Sequence, residues 1–254
     1  MHRKQNLNPS VSEALKKQHY ALISGEQVLN DLQVDGHVIE DFCACWDLLT
    51  LDKYMGDGGT YRYRRYGQFL KSKGNERLTQ LPHEAYVQPA HINYLNGDIE
   101  RHFDPLTKDF IESSITTKLL TYMCDIYDEV EGQATDWNIR LHPYRILANR
   151  QELGKPTPEG LHRDGVTYIA TLLINRVNIV GGKSILVNND GHHLIQTTLE
   201  QKFDLLLADD EKTLHKVTPI IIKDTATKAY RDVLVIAFTK LEAAQHGNDS
   251  QTIQ

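Results

Sequence analysis

The 254-residue sequence predicts a mainly β protein with packed helices, built as a sandwich, jelly roll or barrel. From Trp137 to Phe238, short apolar runs alternate with turn residues, and no helical pattern interrupts them. One long amphipathic pattern precedes this region. The composition, 40% hydrophobic and 24% charged, is that of a globular chain able to bury a full core. We therefore expect a single domain over 1–254, with a β core at about 137–240 and helical or mixed support in 1–136.

The N-terminal segment predicts a helix. Ser10 and Glu13 have the spacing of a capping box, in which a serine and a glutamate satisfy each other's backbone donors. Apolar residues then recur at roughly helical intervals as far as Ile23.

An arginine- and tyrosine-rich segment follows a glycine-rich turn at 55–69. Its alternation has period two, which is typical of a strand. This period places Arg62 and Arg64 on one face and Arg65 on the other.

The strongest helical pattern begins at Asp104 and Pro105, which suit an N-cap and a first helical turn. Nine apolar residues fall along one stripe from Phe110 to Val130, and Gly132 ends the pattern. These features predict a helix of about 25 residues that packs against a broad surface such as a sheet.

The C-terminal half predicts a series of strands separated by Gly, Pro, Asn and Asp turns. Residues 244–254 form a polar tail that we expect to be disordered. The predicted strands are 137–148, 161–175, 183–188, 203–208, 213–222 and 231–239.

Charge and composition argue against several functional classes. The net charge of −6 provides no positive surface for nucleic acid or anionic lipid. No apolar run approaches the roughly 18–20 residues that span a bilayer. Three cysteines are too few for a disulfide framework, and no apolar segment follows the basic residues of the N-terminus, so we expect a cytoplasmic protein. Twelve histidines are many for this length, and histidine is the commonest metal ligand.

Three residues suggest a metal site. His162 and Asp164 lie two apart in a predicted strand, so their side chains point to one face. Alone, this pair also fits a surface histidine beside a solvated acid, and His215, inside an apolar strand pattern, also fits a structural histidine. Together they supply the two histidines and one carboxylate that are diagnostic of non-haem Fe(II) oxygenases.

Arg231 opens the apolar run RDVLVIAF. An arginine there is either a charge at the edge of a sheet or a receptor for an anion. The planar guanidinium suits a carboxylate because it bonds both oxygens at once.

Four segments carry a resemblance to a known family. They are HRDG at 162–165, GGKSIL at 181–186, LHKVTPI at 214–220 and AYRDVLVIAF at 229–238. They resemble the iron- and 2-oxoglutarate-dependent dioxygenases, specifically the bacterial group that contains L-isoleucine dioxygenase and related free amino acid hydroxylases. The resemblance covers roughly residues 55–240 and implies a double-stranded β-helix of the jelly-roll or cupin-like type.

The resemblance also implies ligands. Fe(II) would be bound by His162, Asp164 and His215, the catalytic residues, and Arg231 would bind the distal carboxylate of 2-oxoglutarate, with O2 as the other cosubstrate. The upstream segments TYRYRRYGQF and IRLHPYRI are also similar to family segments, although Pro143 stands where a glutamine is common. They contribute the candidate substrate-binding residues Arg62, Arg64, His142 and Arg145.

The expected function is hydroxylation of a free L-amino acid, with aliphatic side chains favoured, giving succinate and CO2. Two alternatives stay open. One is the same chemistry on a peptide or another small molecule, and the other is a non-catalytic, cupin-like protein that binds a small ligand. The sequence does not decide between a monomer and a homodimer.

Overall fold

The computed structural model describes residues 9–75, 77–90, 92, 97–224 and 227–242. The predicted polar tail at 244–254 lies outside the described residues. No helix in the described ranges is long and apolar enough to cross a membrane.

The helices lie in the N-terminal half of the chain. They are α1 (Pro9–Gln18), α2 (Gly25–Leu32), α3 (Gly36–Ala44), α4 (Lys108–Glu112) and α5 (Ser114–Glu131), with a 3₁₀ turn at Cys45–Leu48.

The strands run through the whole chain and are densest after Trp137. They are β1 (Tyr20–Ile23), β2 (Thr50–Leu51), β3 (Arg62–Arg64), β4 (Gly67–Lys71), β5 (Leu78–Gln80), β6 (Trp137–Ala148), β7 (Tyr168–Val177), β8 (Ile179–Gly181), β9 (Ser184–Asn188), β10 (His193–Thr197), β11 (Leu205–Asp209), β12 (Thr213–Val217), β13 (Ile220–Ile222) and β14 (Ala229–Lys240).

The N-terminal helix is shorter than predicted. Ser10 lies within α1 rather than before it, and α1 ends at Gln18. Residues from Tyr20 to Ile23 form β1 instead, paired antiparallel with β11. Ala21 and Ile23 are buried while Leu22 is 48% exposed, so the period is two and the prediction of a helix here is wrong.

The predicted long helix is broken into α4 and α5. Ser113 has an extended ψ of 132°, and its hydroxyl accepts a hydrogen bond from the N–H of Ile115 at 3.3 Å, which starts a new helix. Thr107 caps α4, which begins at Lys108, so the predicted start at Asp104 and Pro105 is wrong. Gly132 ends α5 as predicted, in the left-handed conformation with φ 71°.

The strand predictions are confirmed best for β6, which spans 137–148 as predicted. The predicted strand 161–175 begins only at Tyr168. The predicted strand 213–222 is two strands, β12 and β13, separated by Pro219, which has no N–H to donate. The sequence patterns did not predict β8 or β10.

Within the described residues, a nine-stranded antiparallel sheet runs in the order β1-β11-β7-β14-β6-β3-β2, and β4 and β5 extend from β6. Two smaller sheets, β10-β9-β12 and β13-β8, complete the β structure. The helices cover one face of the large sheet, where Leu119 and Met123 of α5 belong to the same core as Ile139 and Leu172. The predicted fold, a double-stranded β-helix with supporting helices, is confirmed.

The opposite face of the large sheet looks toward the small sheets. Ile169, Leu173 and Val233 form a second core with Leu186 of β9. Strand alternation therefore divides the residues of β6, β7 and β14 between the helical side and the inner side of the β-helix.

Candidate active site

The backbone holds His162 and His215 together. The N–H of His162 donates to the carbonyl of His215 at 3.0 Å, and the N–H of His215 donates to the carbonyl of His162 at 2.7 Å. This isolated bridge joins the segment before β7 to β12, and the two ring centroids lie 4.3 Å apart. His162 and Asp164 are thus in a turn segment rather than in the regular strand that the sequence predicted.

The three predicted metal ligands converge. His162, Asp164 and His215 each offer one donor atom, and these atoms lie within 4.8 Å of one another. Nε2 of His215 is 3.4 Å from Oδ2 of Asp164. Nδ1 of His162 lies 2.9 Å from the carbonyl of Gly160, so with its proton on Nδ1 the ring presents a free lone pair at Nε2. Two imidazoles and a carboxylate in this arrangement fit Fe(II).

The electrostatics of the cluster keep the carboxylate ionised. Burial alone would raise the pKa of Asp164, but the hydrogen bond and charge of His215 outweigh it and hold that pKa well below its ordinary value. Burial would likewise lower the pKa of His215, whereas Asp164 and Asp210 together raise it. An ionised carboxylate is the form that binds a metal.

Asp210 holds the backbone segment that carries Asp164, and the sequence did not indicate this role. This fully buried carboxylate accepts hydrogen bonds from the backbone N–H groups of Asp164, Gly165 and Val166 at 3.0, 2.8 and 3.0 Å. Its Oδ1 also lies 3.7 Å from Nδ1 of His215. Burial and the charge of Asp164 raise its pKa. In the sequence, the adjacent Asp209 and Asp210 indicate only a turn between two strands.

Gln88 approaches Asp164 from the other side. Its Nε2 is 3.5 Å from Oδ1 of Asp164, and its Oε1 accepts a hydrogen bond from Nη2 of Arg101 at 2.8 Å. The Arg101 guanidinium lies 4.6 Å from the centroid of the Tyr86 ring. No sequence pattern indicated this chain of contacts.

The cluster opens into a cavity of about 90 Å³ between the large and small sheets. Its walls include Arg62, Arg231 and Glu159, together with apolar side chains. Five of the predicted site residues therefore line one cavity: His162, Asp164, His215, Arg62 and Arg231.

Arg231 is buried, and no described residue provides a counter-ion for it. It is 2% exposed, and its Nε and Nη2 atoms have no hydrogen-bond partner in the described part of the chain. Burial, together with the nearby charge of Arg176, lowers its pKa to about 10. Unsatisfied donors of this kind are costly unless a ligand accepts them.

Arg62 lines the cavity and forms an ion pair with Asp52. Its Nε and Nη2 both lie 2.8 Å from Oδ2 of Asp52. Burial lowers its pKa, but its interactions with Tyr144 and Asp52 outweigh that effect and raise the pKa, so the guanidinium stays charged.

Arg64 and His142 are adjacent to the cavity but do not line it. Nη2 of Arg64 contacts Nδ1 of His142, and the guanidinium lies 3.6 Å from the centroid of the Phe103 ring. Burial, and then the charge of Arg64, lower the pKa of His142 well below its ordinary value. As predicted, Arg62 and Arg64 share a face of β3.

Arg145 lies elsewhere. On β6, the neighbouring residues Tyr144 and Ile146 line the cavity, so Arg145 points to the opposite face. There it donates to Asp232 at 2.7 and 2.8 Å and to Asp47 at 2.8 Å, beside a separate cavity of about 580 Å³. The structure does not bring this predicted substrate residue to the cluster.

Glu159 is a further residue that the sequence analysis did not single out. Its Oε1 lies 3.2 Å from Nε2 of His162, and it lines the same cavity. The only sequence feature that could have indicated Glu159 is its position three residues before His162.

A double-stranded β-helix that holds two histidines and one carboxylate at an internal cavity defines the class of non-haem Fe(II) oxygenases. Within this class, the chain belongs to the 2OG-Fe dioxygenase family, whose model matches residues 43–237. It is therefore an Fe(II)- and 2-oxoglutarate-dependent dioxygenase that uses O2, and the resemblance noted in the sequence is confirmed.

The chain is also similar to individual proteins. The chain is 28% identical over 239 residues to a 3(1)-hydroxy-L-isoleucine 4-dioxygenase of Pantoea ananatis, covering 90% of this chain and 94% of that protein. The crystal structure of a bsmA homolog from Methylobium petroleophilum PM1 has a TM-score of 0.83 and 31% identity, covering 91% and 92% of the two chains. The structure of IDO from Bacillus thuringiensis, at 19% identity and 92% and 95% coverage, shares the fold with a TM-score of 0.75.

Proposed function

We propose that this dioxygenase hydroxylates a free L-amino acid with an aliphatic side chain. The observation that carries the proposal is the pairing of opposite charges beside the metal cluster, where Arg62 and Glu159 line one cavity. A zwitterion matches such a pair because its carboxylate suits the arginine and its ammonium suits the glutamate. The Pantoea ananatis relative is named for an amino acid substrate, which supports the same substrate class.

In this proposal His162, Asp164 and His215 bind the iron, and Arg231 binds the distal carboxylate of 2-oxoglutarate. Bound iron supplies the activation of O2 that is coupled to oxidative decarboxylation. One oxygen atom of O2 enters the substrate as hydroxyl, the other enters succinate, and the first carboxyl of 2-oxoglutarate leaves as CO2. Around the iron, Asp210 and Gly160 orient the turn and the ring of His162.

The charges of the cavity support a substrate with no net charge. A divalent iron with one carboxylate ligand has a net charge near +1, and 2-oxoglutarate adds −2. Arg231 supplies the remaining positive charge, since it has no acidic partner among the described residues. Arg62 is paired with Asp52, and the charge of Arg176 beside Arg231 offsets that of Glu159. The charges at the site then sum to about zero, and a zwitterion with no net charge preserves this balance.

The walls of the cavity support an aliphatic side chain. Ile146, Val217, Val233 and Val235 line it. Apolar walls favour an apolar side chain and exclude water from the site.

The test is a product screen with purified protein loaded anaerobically with Fe(II) and 2-oxoglutarate and then exposed to air. Free amino acids are compared with their N-acetyl derivatives and with short peptides. We expect a mass gain of one oxygen atom for free aliphatic L-amino acids, with one succinate formed per product. Turnover of peptides or N-acetyl derivatives alone would overturn the proposal.

A matched pair of variants tests the ammonium site. Glu159→Gln keeps the shape of the side chain and removes its charge, and we expect it to raise the KM for the amino acid about 10- to 100-fold. The KM for 2-oxoglutarate should stay within about twofold of that of the unaltered protein. Glu211→Gln, at an exposed position, is the control. An unchanged amino acid KM in Glu159→Gln would refute this role of Glu159.

A further inference from the structure

A second arginine lies beside Arg231. Arg176 of β7 is the antiparallel partner of Arg231 of β14. Its Nη2 donates to the carbonyl of Gly181 at 2.7 Å, and its Nη1 is buried with no hydrogen-bond partner in the described residues. Three guanidinium nitrogens, Nη1 of Arg176 and Nε and Nη2 of Arg231, therefore lack an acceptor.

The two cations repel each other. Burial and then the charge of Arg176 lower the pKa of Arg231. Burial also lowers the pKa of Arg176, although the charge of Glu200 partly opposes this effect. No carboxylate lies within ion-pair distance of either guanidinium among the residues that the structure describes. An anion between or beside them would stabilise the buried Arg231 guanidinium and the half-buried Arg176 guanidinium together.

The free edge of Arg231 matches a carboxylate. Nε and Nη2 form the edge through which a guanidinium donates two parallel hydrogen bonds. The same protein shows this geometry at Arg145, whose Nε and Nη2 donate to the two oxygens of Asp232 at 2.7 and 2.8 Å. In Arg231 that edge has no hydrogen-bond partner among the residues that the structure describes.

Gly182 keeps space between the two arginines. It has φ 69°, and a Cβ there would lie 3.1 Å from Nη1 of Arg176 and 3.4 Å from Cδ of Arg231. A side chain at this position would crowd the Arg176 guanidinium and touch the Arg231 side chain, whereas glycine leaves room and adopts the left-handed conformation without strain.

We propose that Arg176 and Arg231 together form a two-guanidinium receptor for the distal carboxylate of 2-oxoglutarate. This inference rests on the proposed role of Arg231. Arg231 takes the carboxylate through its free edge, and Nη1 of Arg176 supplies a third donor. The pair selects a 2-oxo acid that carries a second carboxylate over one that does not.

The test measures binding rather than turnover. Titration calorimetry on the full chain, loaded with Mn(II) in place of Fe(II) and kept without O2, gives the Kd for 2-oxoglutarate and for 2-oxobutyrate, which has no distal carboxylate. We expect Arg176→Gln to weaken 2-oxoglutarate about 10-fold or more and to leave 2-oxobutyrate within about twofold. Arg176→Lys, which keeps the charge, should recover part of the loss and supplies a folded variant if glutamine disturbs the turn.

The control is Arg77→Gln, at an exposed position between β4 and β5. Equal weakening of both ligands by Arg176→Gln, or weakening of neither, would overturn the inference. If the unaltered protein binds the two ligands equally, Arg231 and Arg176 both lose their assigned role. If the arginine results hold but no free amino acid is hydroxylated, only the proposed substrate fails.

Discussion

The carboxylate of Asp210 accepts a hydrogen bond from the backbone N–H of Asp164 at 3.0 Å, so one buried acid fixes the position of another. The two residues are separated by 46 positions in the chain. Asp210 makes two more such bonds, to the N–H groups of Gly165 and Val166. The segment that carries the metal-binding carboxylate is therefore held by the residue that follows β11, the strand paired with β7.

Asp210→Asn tests this support. An amide offers one acceptor oxygen instead of two and turns a donor toward backbone N–H groups, so some of them lose their partner. We expect the affinity for Mn(II) to fall about 10- to 100-fold and the free energy of unfolding to fall by about 1–3 kcal/mol. Calorimetry and urea denaturation measure the two effects. An unaltered Mn(II) affinity would show that Asp210 does not position the ligands.

The metal cluster itself is tested by His162→Ala and Asp164→Ala. Either change removes one of three protein ligands, so we expect Mn(II) binding to weaken at least about 100-fold and succinate formation to be lost. His192→Ala, at an exposed histidine in the turn before β10, is the matched control and should bind Mn(II) normally. Substantial Mn(II) binding in a His162→Ala/His215→Ala double variant would refute the assignment.

The Arg145–Asp232 pair should contribute stability rather than substrate binding. Arg145→Met leaves the Asp232 side chain, which is 0% exposed, without its cation, at a cost of about 3–5 kcal/mol in the free energy of unfolding. Adding Asp232→Asn should recover part of this loss, because a neutral amide needs no counter-ion.

Urea denaturation and substrate kinetics separate the two roles of Arg145. The KM for the amino acid should change by less than about twofold in Arg145→Met, because this side chain points away from the metal cavity. A large rise in KM with unchanged stability would return Arg145 to the substrate site.

Glu131 predicts a pH-dependent contribution to stability. Its Oε1 accepts a hydrogen bond from the Tyr168 hydroxyl at 2.7 Å, and its Oε2 contacts Nζ of Lys240. Burial would raise its pKa, but Lys240 and Tyr168 outweigh burial and lower it in the folded protein. A lowered folded-state pKa means that the contribution is present above the ordinary value of 4.5 and is lost as the pH falls through the folded-state pKa.

Glu131→Gln measures that contribution. At pH 7 the variant should lose about 1 kcal/mol of unfolding free energy, and the difference from the unaltered protein should shrink once the pH falls below 4.5. Glu129→Gln, an exposed neighbour on α5, should show no such pH-dependent difference. A difference that persists at low pH would mean that packing, not charge, is responsible.

Local patterns predicted those parts of the fold that local chemistry determines. β6 matched its prediction at both ends because turn residues flank an alternating run. The break at Ser113 was not predicted, because a single hydroxyl that starts a new helix looks the same in sequence as one inside a helix.

The site was predictable where the combination of residue types and the resemblance to a known family carry the chemistry, as for His162, Asp164 and His215. It was not predictable where contacts cross the chain. Asp210 contacts the Asp164 backbone only after folding. Arg145 is excluded from the cavity because the other face of β6 lines it, and which face does so depends on which sheet packs against β6. The alternation of residues along a strand shows which side chains share a face, but it does not show whether that face lines the cavity or the opposite side of the sheet.

The two backbone hydrogen bonds between His162 and His215 have a consequence for metal uptake. Because the peptide groups of the two ligands bind each other directly, the imidazoles are already neighbours before any ion arrives. Most of the entropy of assembling the site has then been lost during folding rather than during metal binding. An incoming ion therefore meets ligands whose spacing is already set, and ions are selected by how well they fit that spacing. Altering the metal preference of this protein would require a change in the main chain as much as in the side chains.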